Sequence, residues 1–239
     1  MTPEKIARAL SRSIGGLNFA PPVVHVYNPL RYAREAHDTY LSTYCRTNID
    51  VLLLGMNPGP WGMAQTGVPF GDVTQVAQWL GIRAGVKRPR KEHPKRPILG
   101  FECERNEVSG TRLWGWARER FASADAFFDR FFVWNYCPLA FMEDSGRNRT
   151  PDKLPANERE PLFDACNVAL NRIISHTQPT HVIGIGKFAE TRASLVLASA
   201  SHPPHIGTIL HPSPASPAAN RGWAEKVDEQ FAAMGIDIP

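Results

Sequence analysis

Short apolar runs separated by longer stretches of mixed polarity set the pattern of this chain. Four of them, Val51–Gly55, Phe131–Asn135, 181–186 and 207–210, are mostly apolar and short, as strands buried on both faces of a parallel sheet must be. Between the runs, apolar residues recur at helical spacing. Val73, Val76, Ala77 and Leu80 share one face of a segment that Asp72 can cap, and Ser109 stands as a cap before a helix over 111–121. Further helices are expected over 158–176 and 187–198. The last should open with Ser216 as cap and Pro217 at its first position, and run to about Met234. Strands alternating with helices predict right-handed crossovers and a three-layer α/β/α sandwich around a four-stranded parallel sheet. No linker, repeat or low-complexity tract divides the sequence, so residues 1–239 read as a single domain.

In an open parallel sheet, ligands bind just past the carboxyl ends of the strands. Those ends lead here into Met56-Asn57-Pro58-Gly59, Asn135-Tyr136-Cys137-Pro138, Gly186-Lys187 and His211-Pro212-Ser213-Pro214. Two asparagines, a histidine and several proline-restricted turns therefore converge on one crevice. The loop over 56–73 is the most informative, with three prolines and four glycines. Such turns are rigid and can aim backbone N–H groups and a carboxamide at a ligand. Asn57 is either a turn asparagine bonding its own loop, the commoner role of Asn-Pro, or a carboxamide that holds a water or polarises a substrate. Asn135 either ends its strand or presents one acceptor and two donors to the polar edge of a ligand. Phe70 packs in the core or offers a ring on which a base can stack. His211 is structural or faces the crevice.

Composition narrows the partners. Lys+Arg number 27 against 23 Asp+Glu, for a net charge of +4, but the excess is concentrated. Arg83, Lys87, Arg88, Arg90, Lys91, Lys95 and Arg96 crowd one stretch opposed only by Glu92. That surface suits a polyanion, though an ordinary solvated loop can look the same. No apolar run approaches the ~20 residues of a membrane span. Residues 1–16 lack the apolar core of a signal peptide, so a cytoplasmic protein is expected. Cys45, Cys103, Cys137 and Cys166 form no local pair, which argues against zinc or an iron–sulfur cluster. His202 and His205 lie near His211 without acidic or cysteine partners at ligand spacing, so no metal site is expected. There is no G-x-S-x-G, Walker A or G-x-G-x-x-G, and Gly184-Ile185-Gly186-Lys187 is too short for a phosphate loop.

The 55–73 loop also resembles, nearly residue for residue, the first motif of the single-strand-selective monofunctional uracil-DNA glycosylases. The stretch His93-Pro94-Lys95-Arg96-Pro97-Ile98-Leu99-Gly100 with Val108-Ser109-Gly110, the segment Asn135-Tyr136-Cys137-Pro138-Leu139 and the block 211–223 carry the likeness further, in the family's order. The resemblance implies the uracil-DNA glycosylase α/β sandwich and hydrolysis of the N-glycosidic bond of uracil, and of 5-hydroxymethyluracil, in DNA. It implies base flipping, an abasic product, no strand incision and no cofactor. Carried onto matching residues, Asn57 positions water, Phe70 stacks on the flipped base with the Met56 backbone helping, and Asn135 reads the uracil edge. His211, neutral, stabilises the departing uracil anion. Pro58 and Gly59 lie beside C5. Pro212, Ser213, Pro214, Ala215, Ser216, Asn220 and Arg221 resemble the wedge that opens the stack, followed by a helix N-terminus able to hold a phosphate. Ala215 stands where relatives often carry a larger or basic residue. The partner implied is uracil-containing DNA, single-stranded or duplex, met by a monomer. A non-catalytic lesion-binding relative and an enzyme of free nucleotides remain the alternatives.

Overall fold

A computed structural model describes the chain from Met1 to Pro239. Its centre is a four-stranded sheet built from β2 (Val51–Gly55), β3 (Phe131–Asn135), β6 (His181–Ile185) and β7 (His205–Ile209), in the order β3-β2-β6-β7. All three pairings are parallel, with Leu54 beside Trp134 and Gly184, and Gly55 beside Asn135. β2 and β3 match the apolar runs residue for residue. β6 stops one residue short of the expected run, and β7 starts two residues earlier than expected.

Alternation along β3 separates the two faces of the sheet. Phe131 points to one side, where it meets Trp116 and Phe231 at ring-centroid distances of 6.2 and 5.8 Å. Phe132 points to the other and stacks on Tyr40 at 5.3 Å, while Tyr40 Oη donates to the Val133 carbonyl at 2.8 Å. One face is thus covered by α4 (Val108–Arg120) and α7 (Trp223–Ala233), where Trp116 stacks on Phe231 at 5.5 Å. The opposite face carries α1 (Pro3–Ser13), α2 (Arg34–Tyr44), α5 (Ala156–Thr177) and α6 (Lys187–Leu197). The three layers expected from the alternation of strands and helices are present.

α3 (Val73–Gln78) begins as expected, with Asp72 Oδ1 accepting from the Gln75 N–H at 3.2 Å. Two helix starts differ. α4 is capped by Glu107 rather than Ser109, because the longer side chain reaches the Gly110 N–H at 2.5 Å and leaves Ser109 inside the first turn. The last helix starts at Trp223, not at Ser216 and Pro217. Residues 216–220 close only single turns, with Asn220 N–H on the Ser216 carbonyl at 3.1 Å. Gly222 then adopts a left-handed backbone at φ 78°, which breaks any continuous helix.

A second sheet had no counterpart in the sequence pattern. β1 (Val23–Tyr27), β4 (Ala140–Glu143) and β5 (Asn148–Arg149) pair antiparallel in the order β1-β4-β5. β4 follows β3 directly through Tyr136–Leu139, so it hangs the small sheet beside the carboxyl end of the large one. No helix is long and apolar enough to cross a membrane.

Gly184 belongs to this packing rather than to a phosphate loop. A Cβ there would overlap the Glu190 backbone, so α6 lies against β6 only because the side chain is missing. Lys187 is occupied with Glu190 at 2.6 Å. Gly184→Ala should therefore cost about 1–3 kcal/mol of stability, read from urea unfolding midpoints. An unchanged midpoint would mean the helix can retreat without loss.

Candidate active site

A cavity of about 300 Å³ opens at the carboxyl ends of the parallel strands. Met56, Asn57, Gly59, Phe70, Asn135, His211 and Ser213 line it, so the residues singled out from three separate loops do meet. Pro58 is buried behind the wall, its carbonyl accepting from Asn148 Nδ2 at 2.8 Å. Pro212 is buried at the base of the following loop, whereas Pro214, Ala215, Asn220 and Arg221 are exposed on it and Ser216 is half-buried.

Asn57 lies where its carboxamide is partly engaged. Nδ2 donates to the Leu139 carbonyl at 3.2 Å, which leaves Oδ1 without a partner from its own loop. Asn135 is more constrained. It is 4% exposed, its Nδ2 has only the Met63 sulfur at 3.3 Å, and its Oδ1 is buried with no hydrogen bond. A buried carbonyl oxygen left unpaired costs about 1–3 kcal/mol, and one that faces a cavity is satisfied by whatever donor enters it. Gly55 makes room for it, since a Cβ there would overlap both Asn135 Oδ1 and the Phe70 ring.

Phe70 holds its ring at the cavity with a strained backbone, at φ 52°, a region that costs a non-glycine residue about 1–3 kcal/mol. Two donors hold its carbonyl: Trp114 Nε1 at 3.1 Å and the Asp72 N–H at 2.8 Å. Gly110 sits against the same carbonyl, where any side chain would collide. The ring lies 6.1 Å from that of His211.

His211 is neutral in this setting. The Ser213 N–H donates to its Nδ1 at 3.0 Å, so the ring proton belongs on Nε2. Burial lowers its pKa from 6.5 to about 4, because the charged ring would lose hydration without gaining a counter-ion.

Other lining residues were not recognised from the sequence. Glu107 is the carboxyl of the cavity. Burial raises its pKa, against the opposing pull of the Gly110 and Ser109 N–H groups, and Asp72 raises it further. Its side chain lies against Gly59 and Gly62. Asn148, from the small sheet, accepts from the Phe141 N–H at 3.2 Å while holding the Pro58 carbonyl. Thr150, Ser109 and Met63 complete the wall. The signal for Glu107 was its position one residue before an apolar helical face, where Ser109 offered the more familiar cap. Asn148 carried none, because its strand is two residues long. No group of three or more His, Cys, Asp or Glu is placed to hold a metal ion. A wider depression of about 880 Å³ lies elsewhere, and its charges are partly self-satisfied, with Arg8 on Asp38 at 2.8 Å.

The loop 211–222 is braced from α4. Arg112 donates to the Pro212 carbonyl at 3.0 Å and to Asn220 Oδ1 at 2.8 Å, and Asn220 Nδ2 donates to the Pro214 carbonyl at 2.9 Å. Asn220 is therefore a strut of the loop on which it is exposed. Ser216 Oγ closes a turn onto the Ala219 N–H at 3.3 Å. The phosphate-holding helix terminus expected after Ser216 is absent, since that helix begins at Trp223.

A parallel sheet whose strand ends gather two amides and a neutral imidazole around one cavity defines an α/β protein with a ligand site at its strand ends. The family model described as the Uracil DNA glycosylase superfamily matches residues 42–234. The chain is 47% identical over 227 residues to the single-strand selective monofunctional uracil-DNA glycosylase of Rattus norvegicus, covering 95% of this chain and 82% of that one. Identity to the Bos taurus protein of the same name is also 47%, over 95% of this chain and 84% of that one. The chain belongs to the single-strand selective monofunctional family of the uracil DNA glycosylase superfamily. The crystal structure of Pedobacter heparinus SMUG2 shares its fold, with a TM-score of 0.65 at 18% identity over 96% of this chain and 97% of that one.

The pKa of His211 has a consequence for stability. A histidine lowered to about 4 in the folded state takes up its proton earlier when unfolded. Stability is then fully present above pH ~6.5 and falls as pH drops toward ~4, by up to about 3 kcal/mol. His37, buried with its Nδ1–H donating to the Gly67 carbonyl at 2.7 Å, is lowered to about 4 for the same reason and adds to the fall. Urea unfolding at pH 7 and pH 4.5 should show His211→Asn losing less stability than wild type. Equal losses would place the charge elsewhere.

Proposed function

We propose that this protein hydrolyses the N-glycosidic bond of uracil in DNA, leaving an abasic site without cutting the strand. The observation that carries the reading is the buried, unpaired carboxamide of Asn135 beside the Phe70 ring and a neutral His211. The names of the mammalian relatives support it.

In this reading a uracil flipped from its strand enters the cavity and stacks on Phe70. Asn135 supplies an acceptor for N3–H and a donor for O4, and cytosine would meet the wrong partner at both. Cleavage builds positive charge on the sugar and negative charge on the leaving base. His211 Nε2–H meets the negative charge at O2 as a neutral donor, with no proton transfer required. Asn57 Oδ1 orients the attacking water but cannot act as a strong base, since a carboxamide does not titrate. The bond therefore breaks largely before water attacks, with the fixed dipoles carrying the stabilisation. Met56 and Gly59 close the base on its remaining sides, and Pro58, pinned by Asn148, limits what C5 can carry.

The segment 212–216, with Arg221 further along, fits the wedge, braced by Arg112. We read residues 1–239 as one domain, because the main core of 56 buried residues runs from Ile6 to Ile236, and we read it as a monomer acting on intracellular DNA. No metal or cofactor enters the reaction as proposed.

The test is base release from a single-stranded oligonucleotide with one uracil, in EDTA, resolved with and without alkali. Wild type should give alkali-dependent breaks only. Asn57→Ala and His211→Ala should each lose roughly 10²–10³-fold in kcat. Tight binding without base release would favour a lesion-binding role, and faster cleavage of free deoxyuridine would favour a nucleoside hydrolase. Ala215→Arg should raise the rate on duplex DNA and leave the single-strand rate near wild type. An unchanged duplex rate would remove Ala215 from the wedge.

A further inference from the structure

The basic stretch over 83–96 stays unassigned by the mechanism, and one end of it is tied to the site. Gln65 is fully buried and uses both ends of its amide. Nε2 donates to the Pro60 carbonyl at 2.8 Å and the Pro97 carbonyl at 3.0 Å, and Oε1 accepts from the N–H groups of Leu99 and Gly100 at 2.8 and 3.1 Å. The cavity loop and the segment after Arg96 are thereby held together. Tyr27 Oη adds a second tie, donating to the Arg96 carbonyl and accepting from the His93 N–H, both at 2.7 Å.

This clamp places Arg96 over the ring of Trp61 at 5.1 Å, and Arg105 stands over the same ring at 4.7 Å. Two guanidinium groups share one indole, each attracted to the ring. Neither joins an ion pair, unlike Arg8, Arg46, Arg120, Arg130 and Arg149. Arg96 makes one side-chain hydrogen bond, to the Lys95 carbonyl at 2.8 Å, and its Nε is buried without a partner. Arg105 is exposed. Like charges held together without an acid lack a counter-ion from the chain itself.

Their position follows from the chain. Trp61 is two residues past Gly59 and Arg105 two before Glu107, both of which line the cavity. Two residues span at most ~7 Å, so the stack stands at the rim. A phosphodiester next to the extruded nucleotide is the anion within reach, and a planar guanidinium fits its oxygens with two parallel N–H donors.

We propose that Arg96, Trp61 and Arg105 form a phosphate-binding site for the DNA strand beside the flipped nucleotide. The indole orders both arginines before the strand arrives, which reduces the conformational freedom lost on binding. The site deepens the glycosylase reading by naming how the strand is held, and binding can be measured independently of base release.

The test uses the full chain and two readouts on wild type, Arg96→Gln, Arg105→Gln, Trp61→Leu and Trp61→Phe. Fluorescence anisotropy gives Kd for a labelled single-stranded oligothymidylate between about 50 and 200 mM salt, a range over which phosphate neutralisation changes affinity strongly. Uracil release from a single-stranded oligonucleotide gives kcat and KM. Each arginine variant should weaken Kd and KM roughly tenfold, and the salt slope should shrink by ~0.7 for each phosphate no longer neutralised. Trp61→Leu should weaken binding with its slope kept, because the charges remain but lose their order. Trp61→Phe should stay near wild type. Arginine variants that bind with wild-type affinity and slope overturn the site, even if uracil is released normally. Weakened binding by those variants, with no uracil released by wild type, keeps the site and removes the glycosylase reading.

Discussion

The site depends on the space over the adjoining ends of β2 and β3, which the missing side chain of Gly55 leaves open. Because no Cβ stands there, the Asn135 carboxamide and the Phe70 ring occupy the space beside the strand end. Gly110 makes the same allowance on the other side, letting the Phe70 carbonyl pack against the first turn of α4. Trp114 then fixes that carbonyl from within the core. The strain at Phe70 is thus held by packing that extends to Phe127 and Phe128 under β3. The cavity is a surface feature whose geometry is stored in the aromatic core.

Burial then decides the chemistry. In water, His211 would titrate near 6.5; enclosed here it stays neutral to about pH 4. Desolvation also raises the Glu107 carboxyl, with the helix N-terminus pulling the other way. Neither group has an ion-pair partner in the cavity. The field is built instead from amides, a neutral imidazole and backbone N–H groups, which suits a reaction whose leaving group is an anion and whose nucleophile is water. A charged imidazolium would also stabilise an anion, but it would first need hydration that this cavity withholds.

A second theme is the use of single polar side chains as clamps between distant segments. Gln65 joins residues 60 and 97–100, Asn148 joins the small sheet to Pro58, and Arg112 joins α4 to the loop 212–220. Each has both ends of its planar group engaged or several donors used, so each fixes orientation as well as distance. The loops around the cavity need such ties because proline and glycine leave them few backbone hydrogen bonds of their own.

Much was legible without coordinates. The two central strands were readable because strands covered on both faces must be apolar throughout, and the convergence of Asn57, Asn135 and His211 followed from where those strands end. Resemblance to the glycosylase motifs supplied the roles. The small antiparallel sheet was hidden, since β1 alternates only loosely and β5 is too short to leave a periodicity. The start of the last helix differs from the Ser216-Pro217 signal: capping residues permit a helix there, but Gly222 and the struts from Arg112 stop it. Glu107 left only its place before an apolar helical face, and the Arg96–Trp61–Arg105 stack left no signal, because it joins residues far apart in sequence across a folded rim. Periodicity along the chain was enough to specify the parallel strands and the residue types at their edge, because hydrophobic burial is written locally. Tertiary structure alone decided which polar atoms were left unpaired, which charges were desolvated and which segments were clamped together, because those depend on what approaches through space.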